Sequence, residues 1–184
     1  MIITLGGKCG AGKWTLAKKL AEKLWFTIIG IGDIKRELAK EMWLTIAQRD
    51  EIWWNDPAKA QEFDLKFEDY QKSLSLDDNI ILDGRMAFWC QPKAFKIFLD
   101  VSDEEWAQRV FQAQRDSDAR HSLEEVLETN KKRNFWHAET YKKLYGVDIF
   151  DLSQYDLVID TTELTPDQIY ERVLQTFEVF IHDK

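Results

Sequence analysis

Residues 1–20 read Met1-Ile-Ile-Thr-Leu-Gly-Gly-Lys-Cys-Gly-Ala-Gly-Lys-Trp-Thr-Leu-Ala-Lys-Lys-Leu20. A short apolar run ends in glycines, passes a lysine and continues as an amphipathic helix, which is the order of a phosphate-binding loop. The glycines let backbone N–H groups converge on a phosphate without obstruction by Cβ atoms. The helix that begins near Lys13 adds unpaired N–H donors and the positive end of its dipole. The stretch therefore predicts a phosphate site in which the Lys13 ammonium reaches the β and γ phosphates.

The residue after that lysine departs from the motif. The motif has Ser or Thr there to hold Mg²⁺ by its hydroxyl, whereas this chain has Trp14 and offers a hydroxyl only at Thr15. An ordinary strand-to-helix turn is the alternative interpretation, but position and context favour the phosphate loop. Trp25 and Trp43 follow helical patterns where a glycine at the helix end is typical. We expect Trp14 to disturb the metal contact and the other two to disturb helix ends.

Composition limits the classes of protein to consider. The 184 residues suffice for one domain with a sizeable core. The net charge of −8 argues against a general binder of nucleic acid or anionic membranes. Cys9 and Cys90 form no C-x-x-C pair, the histidines lack metal-ligand spacing, and no segment approaches the length of a membrane span. We expect a cytoplasmic monomer with free thiols, whose partners are small molecules rather than nucleic acid or membranes.

Apolar runs alternate with helical patterns along the chain. Apolar positions recur at helical spacing within residues 44–76, which favours a packed helix over a linker. Asp33 is placed as the N-cap of a helix over 34–41, and Ser102 begins a helix with a capping-box pattern. Strands separated by helices imply a parallel sheet with helices on both faces. The five expected strands are the run before the phosphate loop and residues 26–29, 79–85, 94–101 and 155–160.

Ligands of such a sheet bind beyond the carboxyl ends of its strands. Asp83 ends the expected strand over 79–85, where an acid can hold Mg²⁺ directly or through water. Phosphoryl transfer requires alignment and positive charge around the moving group. The alternatives are a plain turn at 83–85, a helix cap at Asp33 and solvated arginines on the surface. The candidates for the positive charge are Arg36, Arg85, Arg115, Arg120 and Arg133, of which Arg115 and Arg120 flank a polar break that can close as a lid.

With these residues assembled, the chain resembles the cytidylate kinases of the nucleoside monophosphate kinase group, especially their short archaeal-type branch. The resemblance covers nearly the whole chain. The first of its segments alone indicates only a P-loop protein, whereas the five in order are fairly specific for this branch. They are Ile2-Ile-Thr-Leu-Gly-Gly-Lys-Cys-Gly-Ala-Gly-Lys13, Gly32-Asp-Ile-Lys-Arg-Glu-Leu-Ala-Lys-Glu-Met42, Ile81-Leu-Asp-Gly-Arg85, Tyr141-Lys-Lys-Leu-Tyr-Gly-Val-Asp148 and Tyr155-Asp-Leu-Val-Ile-Asp-Thr-Thr162.

The resemblance implies a single P-loop kinase domain over residues 1–184, of the three-layer α/β/α class with a parallel five-stranded sheet. The core would comprise residues 1–29, 77–113 and 123–184. A helical insertion at about 30–76 would bind the nucleoside monophosphate, and a short lid at about 114–122 would close over it. The implied reaction converts ATP and CMP or dCMP into ADP and CDP or dCDP, with Mg²⁺ bridging the donor phosphates.

The resemblance also assigns roles to residues by position. Asp33, Arg36 and Arg85 would hold the acceptor nucleotide, and Asp83 and Thr15 would serve Mg²⁺. Catalytic charge would come from Lys13, Arg85, Arg115 and Arg120. The ATP phosphates would lie in the loop formed by Gly7, Lys8, Cys9, Gly10, Ala11, Gly12, Lys13, Trp14 and Thr15, in which Cys9 is interpreted as a tolerated small side chain.

Two other functions stay open at this point. Because Trp14 replaces the residue that supplies a metal ligand, the chain could bind nucleotides with little or no catalysis. It could also be a related small-molecule kinase with a different acceptor. The set of Asp33, Arg36 and Arg85 favours an acceptor that carries phosphate over a neutral alcohol, but it does not rank the bases.

Overall fold

The computed structural model describes residues 1–41, 56–112 and 122–182. Its strands are β1 (Ile2–Gly7), β2 (Thr27–Gly30), β3 (Ile80–Asp83), β4 (Phe95–Asp100) and β5 (Leu157–Asp160). They form one sheet in the order β2-β3-β1-β4-β5, and every neighbouring pair is parallel. Because β1 lies in the middle, the loop that follows it opens at the centre of the sheet edge. The predicted parallel five-stranded sheet is confirmed.

Seven helices accompany the strands in the described part of the chain. A ten-residue helix follows β4 with Ser102 before it, whose Oγ accepts from the Glu105 N–H, as the capping pattern predicts. Ser122 caps the longest helix in the same way, and left-handed Gly146 ends it. The helices are α1 (Lys13–Leu24), α2 (Ile31–Glu41), α3 (Pro57–Ser73), α4 (Ala87–Cys90), α5 (Asp103–Gln112), α6 (Leu123–Tyr145) and α7 (Pro166–His182).

The core lies on both faces of the sheet because successive strand side chains point to opposite sides. Ile3 and Leu5 of β1 pack with Leu16 and Leu20 of α1. Ile2, from the same strand, belongs to a second cluster that includes residues of α2 and α3. Both faces of β1 are thus apolar and covered, as is typical of a parallel sheet between two helical layers. Among the described residues, no helix has the length and hydrophobicity needed to cross a membrane.

The structure corrects one expected helix start. The second helix begins at Ile31 rather than at residue 34, so Asp33 lies in its first turn and is not its N-cap. Strand β2 extends to Gly30 and passes directly into α2, which leaves no loop residue between them. The Asp33 carboxylate instead accepts a hydrogen bond from Arg36, one turn along the helix. The predicted cap role of Asp33 is wrong.

The end of α1 at Trp25 has the backbone conformation expected of a position where glycine is typical. Trp25 has a φ of 58° and a ψ of 41°, in the left-handed region, and its N–H donates to the Ala21 carbonyl. This conformation favours glycine. The indole is 90% exposed. The predictions for Trp43, the insertion residues 42–55 and the polar break at 116–121 fall outside the described residues.

Candidate active site

The phosphate loop connects β1 to α1 through three glycines with positive φ. The φ angles are 119° at Gly7, 71° at Gly10 and 88° at Gly12. A Cβ on Gly7 would lie 2.0 Å from the Leu99 carbonyl oxygen of β4, so only glycine permits this close packing at the end of β1. The left-handed turns at the other two positions orient successive backbone N–H groups into a concave nest. The loop geometry is therefore that of an anion-binding site at a helix N-terminus.

The two lysines of the loop have different positions. Lys13 Nζ lies 3.1 Å from the Gly7 carbonyl oxygen and 2.6 Å from that of Lys8, so its ammonium lies over the loop. Lys8 Nζ instead lies 3.0 Å from the Asp100 carboxylate and 3.1 Å from the Val101 carbonyl oxygen. The Lys8 side chain therefore fastens the loop to the end of β4. The assignment of Lys8 to phosphate binding stays a prediction, which now concerns its backbone N–H group.

Asp83 ends β3 between the two strands that lead into the site. It pairs in register with Leu5 of β1 and Gly30 of β2, which places it beside the phosphate loop. Burial raises the pKa of the Asp83 carboxyl, and the charge of Asp33 adds to the rise. The positive charges of Lys13 and Arg85 oppose it but are outweighed. The carboxylate is thus a partly desolvated anion within the field of the loop lysine.

Three cations converge on Cys9 within the loop. Burial acts to raise the pKa of the Cys9 thiol, but the charges of Arg85, Arg133 and Lys13 together lower it. Arg85 Nη2 lies 3.3 Å from Cys9 Sγ, and Nη1 lies 3.4 Å from Oδ1 of Asn134 on α6. Arg133 Nε is buried without a hydrogen-bond partner among the described residues. Cys9 therefore contacts the arginine that follows β3, and its interpretation as a tolerated small side chain stays a prediction.

The predicted acceptor residues lie at the same sheet edge. Asp33 and Arg36 are paired with each other, and both are about half exposed. Asp33 lies against Gly30, which pairs in register with Asp83, and the charges of Asp33, Arg85 and Arg36 all act on the pKa of Asp83. The structure thus brings Lys13, Asp33, Arg36, Asp83 and Arg85 together. Arg115 and Arg120 lie outside the described residues.

A pocket next to Arg85 contains residues that sequence reasoning missed. The polar members Glu68 and Gln71 are buried on α3, for which the sequence predicts a packed helix without indicating which polar residues face inward. The spacing of Gln71 from buried Phe67, at four positions, is the signal that places Gln71 on the inner face of that helix. The pocket is lined by Ile31, Lys35, Phe67, Glu68, Gln71, Arg85, Met86 and Tyr141.

Trp14 and Thr15 both lie exposed in the first turn of α1. The Trp14 indole is 43% exposed and is not part of the core. The residue after the loop lysine therefore contributes a large aromatic surface at the N-terminus of the helix, where the motif has a small hydroxyl side chain.

The loop after the central strand, the parallel sheet and the charged strand ends define a kinase of the P-loop class. Shikimate kinase from Bacteroides thetaiotaomicron has a similar fold, with a TM-score of 0.63 and 18% identity over 97% of this chain and 98% of its own. At that identity the likeness concerns the fold alone. The predicted three-layer α/β/α kinase fold is confirmed.

The chain belongs to the cytidylate kinase-like family, whose model matches residues 2–163. It is 37% identical to a cytidylate kinase of Methanococcoides burtonii over 88% of each chain. It is 32% identical to an S-adenosylmethionine-dependent nucleotide dehydratase of Lacinutrix mariniflava over 96% of this chain, and it spans 36% of the length of that relative. The predicted family, and with it the class of phosphotransferase, is confirmed.

Proposed function

We propose that this protein is a nucleoside monophosphate kinase that transfers the γ-phosphoryl group of ATP to CMP or dCMP. An acceptor phosphate oxygen forms a bond to the γ phosphorus, and the bond from that phosphorus to the β–γ bridging oxygen breaks. The products are CDP or dCDP and ADP. No covalent enzyme intermediate is needed, so the chain contributes alignment and positive charge.

The position of Arg85 is the observation that carries the proposal. Its guanidinium contacts Cys9 in the phosphate loop at 3.3 Å and also lines the pocket bounded by α2, α3 and α6. A donor triphosphate on the loop and an acceptor phosphate at the mouth of the pocket would therefore share one guanidinium. Charge that develops on the transferred group would be stabilised there by Arg85, Lys13 and Arg133.

The loop fits the phosphates of ATP, because Gly10 and Gly12 have positive φ and carry no Cβ directly before the N-terminus of α1. The site also fits Mg²⁺, which binds through one or two carboxylates together with substrate phosphates. No cluster of three or more acidic, histidine or cysteine ligands occurs among the residues that the structure describes, so a single carboxylate is the expected protein contribution. Asp83 would hold the ion together with Thr15, which carries the hydroxyl nearest in sequence to Lys13. The ion would neutralise charge on the donor phosphates.

The assignment of the acceptor nucleotide rests on the family and on the charged residues around the end of β3. The M. burtonii relative is named a cytidylate kinase. Asp33 and Arg36 form an ion pair near the start of α2, and their charges act, like that of Arg85, on Asp83 at the end of β3. We assign residues of about 30–76 to acceptor binding and residues of about 114–122, with Arg115 and Arg120, to a lid over the phosphates. Localisation in the cytoplasm and a monomeric state belong to the same proposal.

Replacement of Arg85 by alanine tests the shared-guanidinium arrangement. We expect turnover of CMP to fall about 10³-fold in Arg85→Ala, since one preorganised donor to the transition state is lost. Arg172→Ala, which removes an exposed arginine of α7, is the matched control and should leave turnover unchanged. Turnover is measured by coupled ADP release. Equal turnover in Arg85→Ala and the control would refute the proposed role.

A further inference from the structure

Gln71 has a fixed orientation in the pocket beside Arg85. Its side chain is 2% exposed, and its Nε2 donates to the Phe67 carbonyl oxygen at 3.0 Å, one helical turn earlier. Because that carbonyl accepts, the amide NH₂ must face it, and the amide oxygen must face the other way. The backbone at Gln71 is also tied, since its carbonyl accepts from Gln91 Nε2 at 2.6 Å. The acceptor oxygen of Gln71 is thus held in one direction.

Gln71 lines the pocket, and its amide oxygen has no hydrogen-bond partner among the described residues. It lies 3.0 Å from the place that a Cβ on Gly84 would occupy, directly before Arg85. Gly84 therefore packs directly against the Gln71 amide group, and a side chain at that position would press on the oxygen. A buried carbonyl oxygen without a donor is unfavourable in a folded protein. Its position in a pocket suggests that a ligand supplies the donor.

The other polar groups of the pocket separate into two kinds. Glu68 is 2% exposed, precedes Gln71 by three residues on α3 and lines the same pocket, so its carboxylate oxygens are further acceptors there. Lys35 and Arg85 supply positive charge at other parts of the lining. An occupant that presents negative charge toward Arg85 and a hydrogen-bond donor to the wall formed by α3 would therefore match this lining.

We propose that Gln71, with Glu68 beside it, is the determinant that selects the acceptor base by its exocyclic amino group. This inference rests on the proposed function, because it names the part of the acceptor that the pocket reads. Cytosine presents the N4 amino group as a donor, whereas uracil presents the O4 carbonyl at the same position. The Gln71 oxygen would accept a hydrogen bond from the N4 amino group of cytosine. With uracil it would face the O4 carbonyl, which is another acceptor. The pocket thus favours CMP and dCMP over UMP.

A substrate comparison on the unaltered protein tests this selection without any risk to folding. The substrates are CMP, UMP and the pyrimidin-2-one ribonucleoside monophosphate, which lacks the amino group and carries hydrogen in its place. We expect kcat/KM to be about 10- to 100-fold lower for the analogue than for CMP, and lower still for UMP, because a buried acceptor loses its donor. Equal kcat/KM for CMP and the analogue would overturn the inference while leaving the kinase proposal intact. A preference for UMP would overturn both the inference and the choice of CMP or dCMP as the acceptor.

Two variants assign the selection to Gln71. In Gln71→Met, which keeps the length of the side chain without an acceptor oxygen, we expect the ratio of kcat/KM for CMP over UMP to fall at least about tenfold. Lys66→Met, an exposed position on the same helix, should keep the ratio of the unaltered protein. A merely structural role of Gln71 would lower both rates and leave their ratio unchanged, and that result would refute the assignment. If the unaltered protein phosphorylates none of the three substrates, the proposed function fails and this inference fails with it.

Discussion

Replacement of Trp25 by glycine is expected to stabilise the protein. Trp25 ends α1 with a φ of 58°, a region in which a side chain with a Cβ is disfavoured by about 1–2 kcal/mol. The indole is 90% exposed, so its removal sacrifices little packing. Glycine also raises the conformational entropy of the unfolded chain, which offsets part of the gain. The net expectation is about 1 kcal/mol in the free energy of unfolding, or roughly 2–4 °C in Tm for a domain of this size.

Urea and thermal unfolding followed by circular dichroism measure this change. Trp25→Ala separates the backbone from the indole, because alanine keeps the Cβ and should recover almost none of the gain. Gly146→Ala is the reverse control: Gly146 ends α6 at a φ of 69° with no atom within 4 Å of the added Cβ. It should lose about 1 kcal/mol from backbone conformation alone. The reasoning is refuted if Trp25→Gly is less stable than the unaltered protein, or if Trp25→Ala gains as much as the glycine variant.

Two further substitutions separate catalysis from stability. Trp14→Ser places a hydroxyl directly after Lys13 and should raise turnover about 10²- to 10³-fold. Because Trp14 is about half exposed, the free energy of unfolding should change by less than about 0.5 kcal/mol. Unchanged turnover in the ADP-release assay would show that this hydroxyl is not needed. Asp83→Asn should lower turnover by a similar factor yet unfold at higher urea at pH 7 than the unaltered protein. The pKa of Asp83 is raised in the fold, so its ionised form opposes folding above that pKa, and the advantage of asparagine should shrink as pH falls through it. An asparagine variant that is less stable at pH 7 would contradict the burial argument.

Features set by local chemistry were predictable from the sequence. The left-handed glycines of the loop, the helix end at Gly146 and the left-handed Trp25 follow from backbone conformational preferences within a few residues. Asp83 could be placed because parallel strands end at a common edge, which topology alone fixes. The cap at Asp33 was wrong because β2 runs directly into α2, so the strand connection determined the helix start against a local preference.

Contacts between distant segments could not be predicted in this way. Arg85 and Cys9 are 76 residues apart, and their contact depends on the packing of β3 beside β1. The polar wall at Glu68 and Gln71 was also missed, since a charged helix with a weak apolar pattern does not show which polar residues face inward. A glutamine four residues after a buried phenylalanine was the available signal. This spacing becomes informative about the pocket only once it is known that Gly84 lies next to Gln71.

Coupled ADP release with CMP, dCMP, UMP and AMP tests the central claim most directly, with Trp14→Ser measured beside the unaltered chain. We expect phosphorylation of CMP and dCMP in preference to UMP and AMP, and faster turnover in the serine variant. Turnover in the serine variant alone would identify the unaltered chain as a nucleotide-binding protein that Trp14 has silenced. Absence of ADP release in both proteins with all four acceptors would contradict the assignment as a nucleoside monophosphate kinase.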